Sequence, residues 1–176
     1  MVLRMTLKLG GGRFCTALVT VLLALLLTGC FSVADSPKLF LINGTAVDVS
    51  AKPLLFINYW APWCKPCHEE IPELNAFTQS HQVVMLGVNF DVFTGVHSVS
   101  ELQTQAAQLN IEFGVLDTPS SRALESHWQL PRPKGLPTTY IISAQGQWVA
   151  TLLGPQTQQT LSVALTQAKQ LMRSAE

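Results

Sequence analysis

The sequence has little charge and no basic cluster. Lys, Arg, Asp and Glu together make up 12% of its 176 residues. The first 29 residues contain three basic residues and no acidic one, and the remainder has eight Lys and Arg against eleven Asp and Glu, a formal net charge of −3. Because a nucleic-acid-binding surface needs grouped Lys and Arg, the composition gives no reason to expect nucleic-acid binding.

The N-terminus lacks an apolar run long enough for a spanning helix. A basic start is followed by 14 residues, Phe14 to Leu27, whereas a bilayer takes about 20. Residues 1–29 are therefore predicted to be a secretory signal peptide. The ending Leu27-Thr28-Gly29-Cys30 resembles the bacterial lipobox, in which the cysteine is lipidated and becomes the new N-terminus. The alternative is an ordinary cysteine after a short anchor helix.

A lipid on Cys30 would anchor the mature protein by acyl chains without a spanning helix. Residues 30–37 would then form a lipidated tether and residues 38–176 a single domain, working in the bacterial periplasmic space. Phe31 follows the cysteine, at a position where Asp favours the inner membrane in the lipoprotein sorting pattern. Phe31 in place of Asp therefore favours the outer membrane, and the inner membrane is the alternative.

Cysteine is scarce, and this limits the chemistry. Cys15 leaves with the signal peptide and Cys30 takes the lipid, so Cys64 and Cys67 remain as the thiols of the mature chain. A four-cysteine zinc site is excluded, and a structural zinc would need His or carboxylate ligands. We therefore expect no metal and no other cofactor.

The mature chain alternates strand and helix patterns. Asn43-Gly44 predicts the turn of an N-terminal β-hairpin. The apolar run Leu54–Trp60 predicts a buried strand, followed by a helix to about Ser80 and by a second apolar strand, Val83–Phe90. Strand, helix and strand in this order indicate a parallel pair.

The second half of the chain continues the pattern. Ser98 to Glu101 is a capping box that opens a helix, and a short strand follows at 112–116. A short helix after Asp117, two antiparallel strands (136–142 and 147–153) and a final helix complete the chain. The fold class is α/β, with a central mixed sheet and helices on both faces.

The two cysteines stand between the first buried strand and its helix. Cys64 should lie at the helix N-terminus, where unpaired N–H groups and the nearby Lys65 favour the thiolate. Cys67, one turn later, should be more buried. A structural disulfide would close a loop of only four residues and constrain the unfolded chain little. Half of a metal site would lack ligands apart from His68, so the spacing favours redox chemistry.

Three segments carry a resemblance to a known family. The motif Trp60-Ala61-Pro62-Trp63-Cys64-Lys65-Pro66-Cys67 resembles the active site of the thioredoxin superfamily, and its continuation to Leu74 is similar to the membrane-tethered TlpA- and ResA-like branch. Gly135-Leu136-Pro137-Thr138-Thr139 resembles the second signature of that family. The resemblance implies a thioredoxin-like fold with an N-terminal β-hairpin and an extra helix-strand insertion at about 98–116.

The resemblance also implies site roles. Pro137 would be cis and lie against the cysteine pair, and Leu136 would offer its backbone to an incoming peptide. Asn58 takes the place of a buried Asp in thioredoxin, and Glu70 the place of an acid near the active site. For Glu70, a proton-handling role and an ordinary solvated glutamate both remain open. The residues expected to pack around the site are Trp60, Trp63, Pro66 and Leu136.

The predicted function is an extracytoplasmic thiol-disulfide oxidoreductase that reduces protein disulfides, with Cys64 attacking and Cys67 resolving. Its expected partners are cysteine-containing extracytoplasmic proteins, a membrane thiol electron donor and, through Cys30, membrane lipid. The alternatives are a dithiol oxidase or stress-related disulfide exchanger and, third, a copper-handling protein of the same fold. Thr138 departs from the acid found after the cis-proline in thioredoxins of cytochrome c maturation, which weakens that specific assignment.

Overall fold

The computed structural model describes residues 37–50, 52–95 and 97–174. The predicted signal peptide and Cys30 lie outside the described residues. The described strands are β1 (Leu39–Phe40), β2 (Ala46–Val47), β3 (Leu54–Trp60), β4 (Val84–Asn89), β5 (Gly114–Val115), β6 (Thr138–Ser143) and β7 (Trp148–Leu153). The described helices are α1 (Lys65–His81), α2 (Val99–Gln108), α3 (Thr118–Trp128) and α4 (Gln158–Ser174), with a 3-10 turn at Phe90–Phe93.

Five strands form a mixed sheet in the order β5-β4-β3-β6-β7. β3 pairs in parallel with β4, and β4 with β5, whereas β6 runs antiparallel to both β3 and β7. β1 and β2 form the predicted antiparallel hairpin beside it. The mixed α/β architecture predicted from the sequence, including the hairpin and the added α2–β5 segment, is therefore confirmed.

The central strand β3 contributes hydrophobic side chains to a core on each face of the sheet, because successive side chains of a strand point to opposite faces. Leu55, Ile57 and Tyr59 belong to one core, which also takes Leu102 of α2 and Leu124 of α3. Leu54 and Phe56 belong to the other, which is completed by side chains of α1 and α4. Helices thus cover both faces, and β3 lies between two packed layers.

Local signals explain where the helices begin. Ser98 and Glu101 form the predicted capping box of α2, each side chain accepting a hydrogen bond from the other residue's backbone N–H. Asp117 caps α3 by accepting from the backbone N–H of Ser120. Within the ranges that the structure describes, no helix combines the length and apolar character needed to cross a bilayer.

Candidate active site

Cys64 and Cys67 are joined by a disulfide bond at the junction of β3 and α1. Cys64 is the N-cap of α1, with extended backbone angles of φ −84° and ψ 94°. Its backbone N–H donates to the carbonyl of Ala61 at 3.1 Å, which closes the turn between strand and helix. The predicted position of Cys64 at the helix start is confirmed.

The two cysteines have different surroundings. The Sγ atom of Cys64 accepts a hydrogen bond from the backbone N–H of Cys67 at 3.3 Å. Cys64 is 4% exposed and Cys67 is fully buried, as the sequence predicted. Since a thiolate is stabilised by N–H donors and by the helix N-terminus, the arrangement favours Cys64 as the anionic thiol.

The two tryptophans of the motif lie in opposite environments. Trp60 is fully buried and packs in the same small cluster as both cysteines. Trp63 is 64% exposed, so the prediction that it packs the site is wrong. Its indole N–H instead donates to the carboxylate of Asp91, at 2.9 Å to the nearer oxygen. This bond orients a flat apolar ring on the surface beside Cys64.

Pro66 is also exposed, so the packing prediction is wrong for this residue too. Its position is explained by backbone chemistry, because proline is compatible with the first turn of a helix, where its missing N–H has no partner to lose. Leu136 is half-buried and packs against the cluster that contains the cysteines, as expected. The Leu136–Pro137 peptide bond is cis and Pro137 is buried, so the second signature segment reaches the cysteine site.

Glu70 is 1% exposed, which contradicts the interpretation of this residue as a solvated helix glutamate. Its Oε1 accepts from the side-chain amide of Asn58 at 2.8 Å, and its Oε2 accepts from the backbone N–H of Gln156 at 2.9 Å. Burial raises the pKa of Glu70 to about 7, while the two hydrogen bonds act in the opposite direction. A carboxyl group that can change charge near neutral pH thus lies one helical turn after Cys67.

Asn58 is itself held by a third element. Its side-chain amide also donates to Thr139 Oγ1 of β6 at 3.0 Å. Sequence patterns did not predict that Thr139 would bond Asn58 or that the backbone of Gln156 would bond Glu70, because the partners are 81 and 86 residues apart respectively. A register prediction for β3 and β6 would have been needed to find Thr139.

His68 points away from the disulfide, as expected. Its ring is exposed, and Nε2 lies 2.8 Å from the carbonyl oxygen of Pro62. Among the residues that the structure describes, no three His, Cys, Asp or Glu side chains are grouped so that they could hold a metal ion.

A disulfide-bonded cysteine pair at the start of the helix that follows the central strand, with a cis-proline directly before β6, is typical of a thioredoxin-like fold. The chain belongs to the AhpC/TSA family, which it matches over residues 43–150. Among solved structures, it is similar to StoA from Bacillus subtilis, with a TM-score of 0.58, 20% identity, and coverage of 73% of this chain and 95% of StoA.

It is also similar in structure to the pneumococcal exposed lipoprotein thioredoxin Etrx1 from Streptococcus pneumoniae strain TIGR4. The TM-score is 0.59, the identity 21%, and the alignment covers 76% of this chain and 98% of Etrx1. In sequence, the thiol-disulfide oxidoreductase ResA of Bacillus thuringiensis subsp. konkukian (strain 97-27) is 24% identical over 107 residues, which are 61% of this chain. The chain spans 58% of the length of that relative.

Proposed function

We propose that this protein is a thiol-disulfide oxidoreductase that reduces protein disulfides through Cys64 and Cys67. The observation that carries the proposal is the disulfide between an N-cap cysteine and a fully buried cysteine one turn later. A pair in this arrangement can open and close without a change in the fold, because both residues lie in the first turn of α1. The names of the sequence relatives, thiol-disulfide oxidoreductases, support the same activity.

The reaction starts from the reduced dithiol. The thiolate of Cys64 attacks one sulfur of a substrate disulfide, the substrate S–S bond breaks, and the second substrate sulfur leaves as a thiolate that takes a proton from solvent. The sulfur of Cys67 then attacks the Cys64 side of the mixed disulfide and releases the first substrate sulfur. Two electrons pass to the substrate, and the protein ends with the Cys64–Cys67 disulfide.

Glu70 is proposed as the proton acceptor for Cys67 in the second step. Cys67 attacks only as a thiolate, and it is buried without access to bulk water. On a helix, residues three apart are neighbours, so the carboxylate of Glu70 lies over the turn that holds Cys67. With a pKa of about 7, Glu70 can accept a proton near neutral pH and release it again.

The exposed ring of Trp63 and the Leu136–Pro137 segment are proposed to receive the substrate. Trp63 presents an apolar surface that is oriented by Asp91. Leu136 packs against the cysteine cluster and forms the cis peptide bond with Pro137, which supports the proposal that its backbone groups contact an extended peptide whose disulfide approaches Cys64. Trp60 is proposed to exclude water behind the pair, and Pro66 to limit the flexibility of the turn between the two cysteines.

The proposed location is the bacterial periplasmic space. Residues 1–29 would be removed as a lipoprotein signal peptide, Cys30 would carry the lipid, residues 30–37 would serve as a tether, and residues 38–176 would form the thioredoxin-like domain. The similarity to a solved structure described as an exposed lipoprotein thioredoxin supports this proposal. Phe31 after the lipidated cysteine favours the outer membrane over the inner membrane. The proposed partners are cysteine-containing extracytoplasmic proteins and a membrane dithiol that restores the reduced pair.

The alternative direction is a dithiol oxidase, for which the same steps run backwards. The two directions differ in reduction potential: a value near −270 mV indicates a reductase and a value near −120 mV indicates an oxidase. We expect equilibration with glutathione to give a reduction potential near the reductase value. Quantifying the reduced and oxidised protein after equilibration in defined glutathione buffers decides between the two.

A trapping experiment tests the exchange mechanism. In a Cys67→Ala variant the mixed disulfide on Cys64 cannot be resolved, so we expect substrate proteins to accumulate as reductant-sensitive adducts in the native host. The matched control is a Cys64→Ala variant, which should form none of these adducts. If the adduct pattern is the same in both variants, or absent in the Cys67→Ala variant, the proposed mechanism is wrong.

A further inference from the structure

We propose that Asn58 is a positioning residue that, together with the backbone N–H of Gln156, holds the carboxylate of Glu70 ready to accept the proton of Cys67. This inference deepens the proposed exchange activity and rests on it. In this proposal, a neutral side chain on β3 controls the ionisation of a carboxyl group on α1. Asn58 contacts neither the disulfide nor the substrate in this proposal, and it acts entirely through Glu70.

The hydrogen-bond geometry gives each carboxylate oxygen one donor. Asn58 Nδ2 donates to Oε1 at 2.8 Å, and the backbone N of Gln156 donates to Oε2 at 2.9 Å. Both distances are in the range of charge-assisted hydrogen bonds, and donors of this kind favour the ionised form of a carboxyl group. A protonated Glu70 would have to turn its O–H towards one of these donors, so protonation would break one of the two bonds.

The rest of the Asn58 side chain indicates that its donor group is what matters. Its Oδ1 is buried and accepts no hydrogen bond from the residues that the structure describes. A buried acceptor without a donor lowers the stability of the folded state, so an apolar residue of similar size would suit the packing better. The second N–H of the amide donates to Thr139 Oγ1, and an ionised Glu70, which can only accept, requires Nδ2 to point towards it.

Few other groups influence the ionisation of Glu70. Burial and the two hydrogen bonds account for its pKa, and no charged group of the described residues contributes. On α1 the nearby titratable groups are Cys67 and Glu73, and the carboxylate of Glu73 is engaged by the backbone N–H of Gln158. The groups that bond Glu70 from β3 and from the segment before α4 are Asn58 and Gln156, and Thr139 of β6 bonds Asn58; all three are neutral.

The inference predicts that removing either donor makes Glu70 harder to ionise. In the Asn58→Ala variant we expect the titration midpoint of Glu70 to rise by about one pH unit, because a hydrogen bond to the charged form is lost while burial remains. The Gln156→Pro variant removes the other donor from a different element and should shift the midpoint in the same direction. The Gln156→Ala variant keeps the backbone N–H and should leave the midpoint unchanged.

The experiment follows the side-chain carboxyl carbon of Glu70 by ¹³C NMR in glutamate-labelled, oxidised protein, with the signal assigned from its loss in a Glu70→Gln variant. In parallel, the pH dependence of disulfide exchange is recorded for the reduced proteins. We expect the rising limb of the exchange rate to move to higher pH by the same amount as the Glu70 midpoint. A variant with a merely structural defect would lose stability without this matched shift.

The outcomes separate this inference from the proposed function. Upward shifts in Asn58→Ala and Gln156→Pro, with no shift in Gln156→Ala, support it, and Glu70 midpoints that match the unsubstituted protein in both donor variants overturn it. If Asn58→Ala does not fold, the two Gln156 variants decide the outcome. Full exchange activity in a Cys64→Ala variant would instead overturn the proposed function, whatever the Glu70 titration shows.

Discussion

The backbone N–H of Cys67 points at the Sγ atom of Cys64 and donates a 3.3 Å hydrogen bond to it across the first turn of α1. Since N–H donors stabilise a thiolate, this contact favours Cys64 as the anionic thiol of the reduced pair, while the sulfur of Cys67 lies in a fully buried position. The two thiols are one turn apart on the same helix, but burial and the helix N-terminus act on them in opposite directions.

This difference should be visible in thiol reactivity. In the reduced Cys67→Ala variant, we expect Cys64 to react with iodoacetamide with a midpoint below the ordinary cysteine value of about 8.5, because N–H donors and the helix dipole favour the thiolate. In the reduced Cys64→Ala variant, Cys67 should react slowly and with a higher midpoint, since it is buried. Equal midpoints for the two thiols would contradict the assignment of roles.

The buried Glu70 should make stability depend on pH. Its pKa is about 7 in the folded protein against 4.5 as the ordinary value, so between these values the folded state binds more protons than the unfolded state. The free energy of unfolding therefore falls as pH rises through this window, by at most about 3 kcal/mol. Urea unfolding of the oxidised protein at pH 5 and pH 8 measures this change.

A Glu70→Gln variant is the control for this effect, because it removes the titrating group and keeps a side chain of the same size. We expect the unsubstituted protein to lose stability relative to the variant as pH rises from 5 to 8. A difference that stays constant across this range would show that Glu70 is not held with a raised pKa.

Glu73 should contribute to stability through α4. Its Oε2 accepts from the backbone N–H of Gln158 at 2.8 Å, at the first turn of that helix, where a carboxylate also interacts favourably with the helix dipole. We expect Glu73→Ala to lower the free energy of unfolding by about 1–2 kcal/mol. Glu69 is exposed on the same helix, and Glu69→Ala should change stability by less than about 0.5 kcal/mol. Equal effects of the two substitutions would contradict this contact.

Trp63 should affect substrate binding more than stability. Because its ring is 64% exposed, we expect Trp63→Ala to raise KM for a protein disulfide several-fold, with kcat and stability little changed. Trp148, on β7, is 51% exposed and serves as the matched control, since Trp148→Ala should leave KM unchanged. Steady-state reduction of a model protein disulfide measures both parameters, and an unchanged KM in Trp63→Ala would remove this residue from the proposed substrate surface.

Much of the fold could be predicted from local patterns. The seven-residue apolar run of β3, the Asn43-Gly44 turn and the Ser98–Glu101 capping box each appear where the sequence predicted them, because each depends on side chains within a few residues of one another. Cys64 at the helix N-cap and Cys67 in the core follow from the same local spacing. The cis bond before Pro137 was expected from family resemblance and is confirmed.

The sequence by itself determined the chemistry of the site, since two cysteines between a buried strand and a helix place one sulfur at the helix N-terminus and the other beneath it. Only the tertiary structure decided the state of Glu70 and the exposure of Trp63. Glu70 is buried because Asn58 and Gln156, from two other elements, supply both hydrogen bonds that its carboxylate needs. Such contacts depend on how the sheet and the α4 end of the chain close over α1, and no periodicity within α1 encodes them.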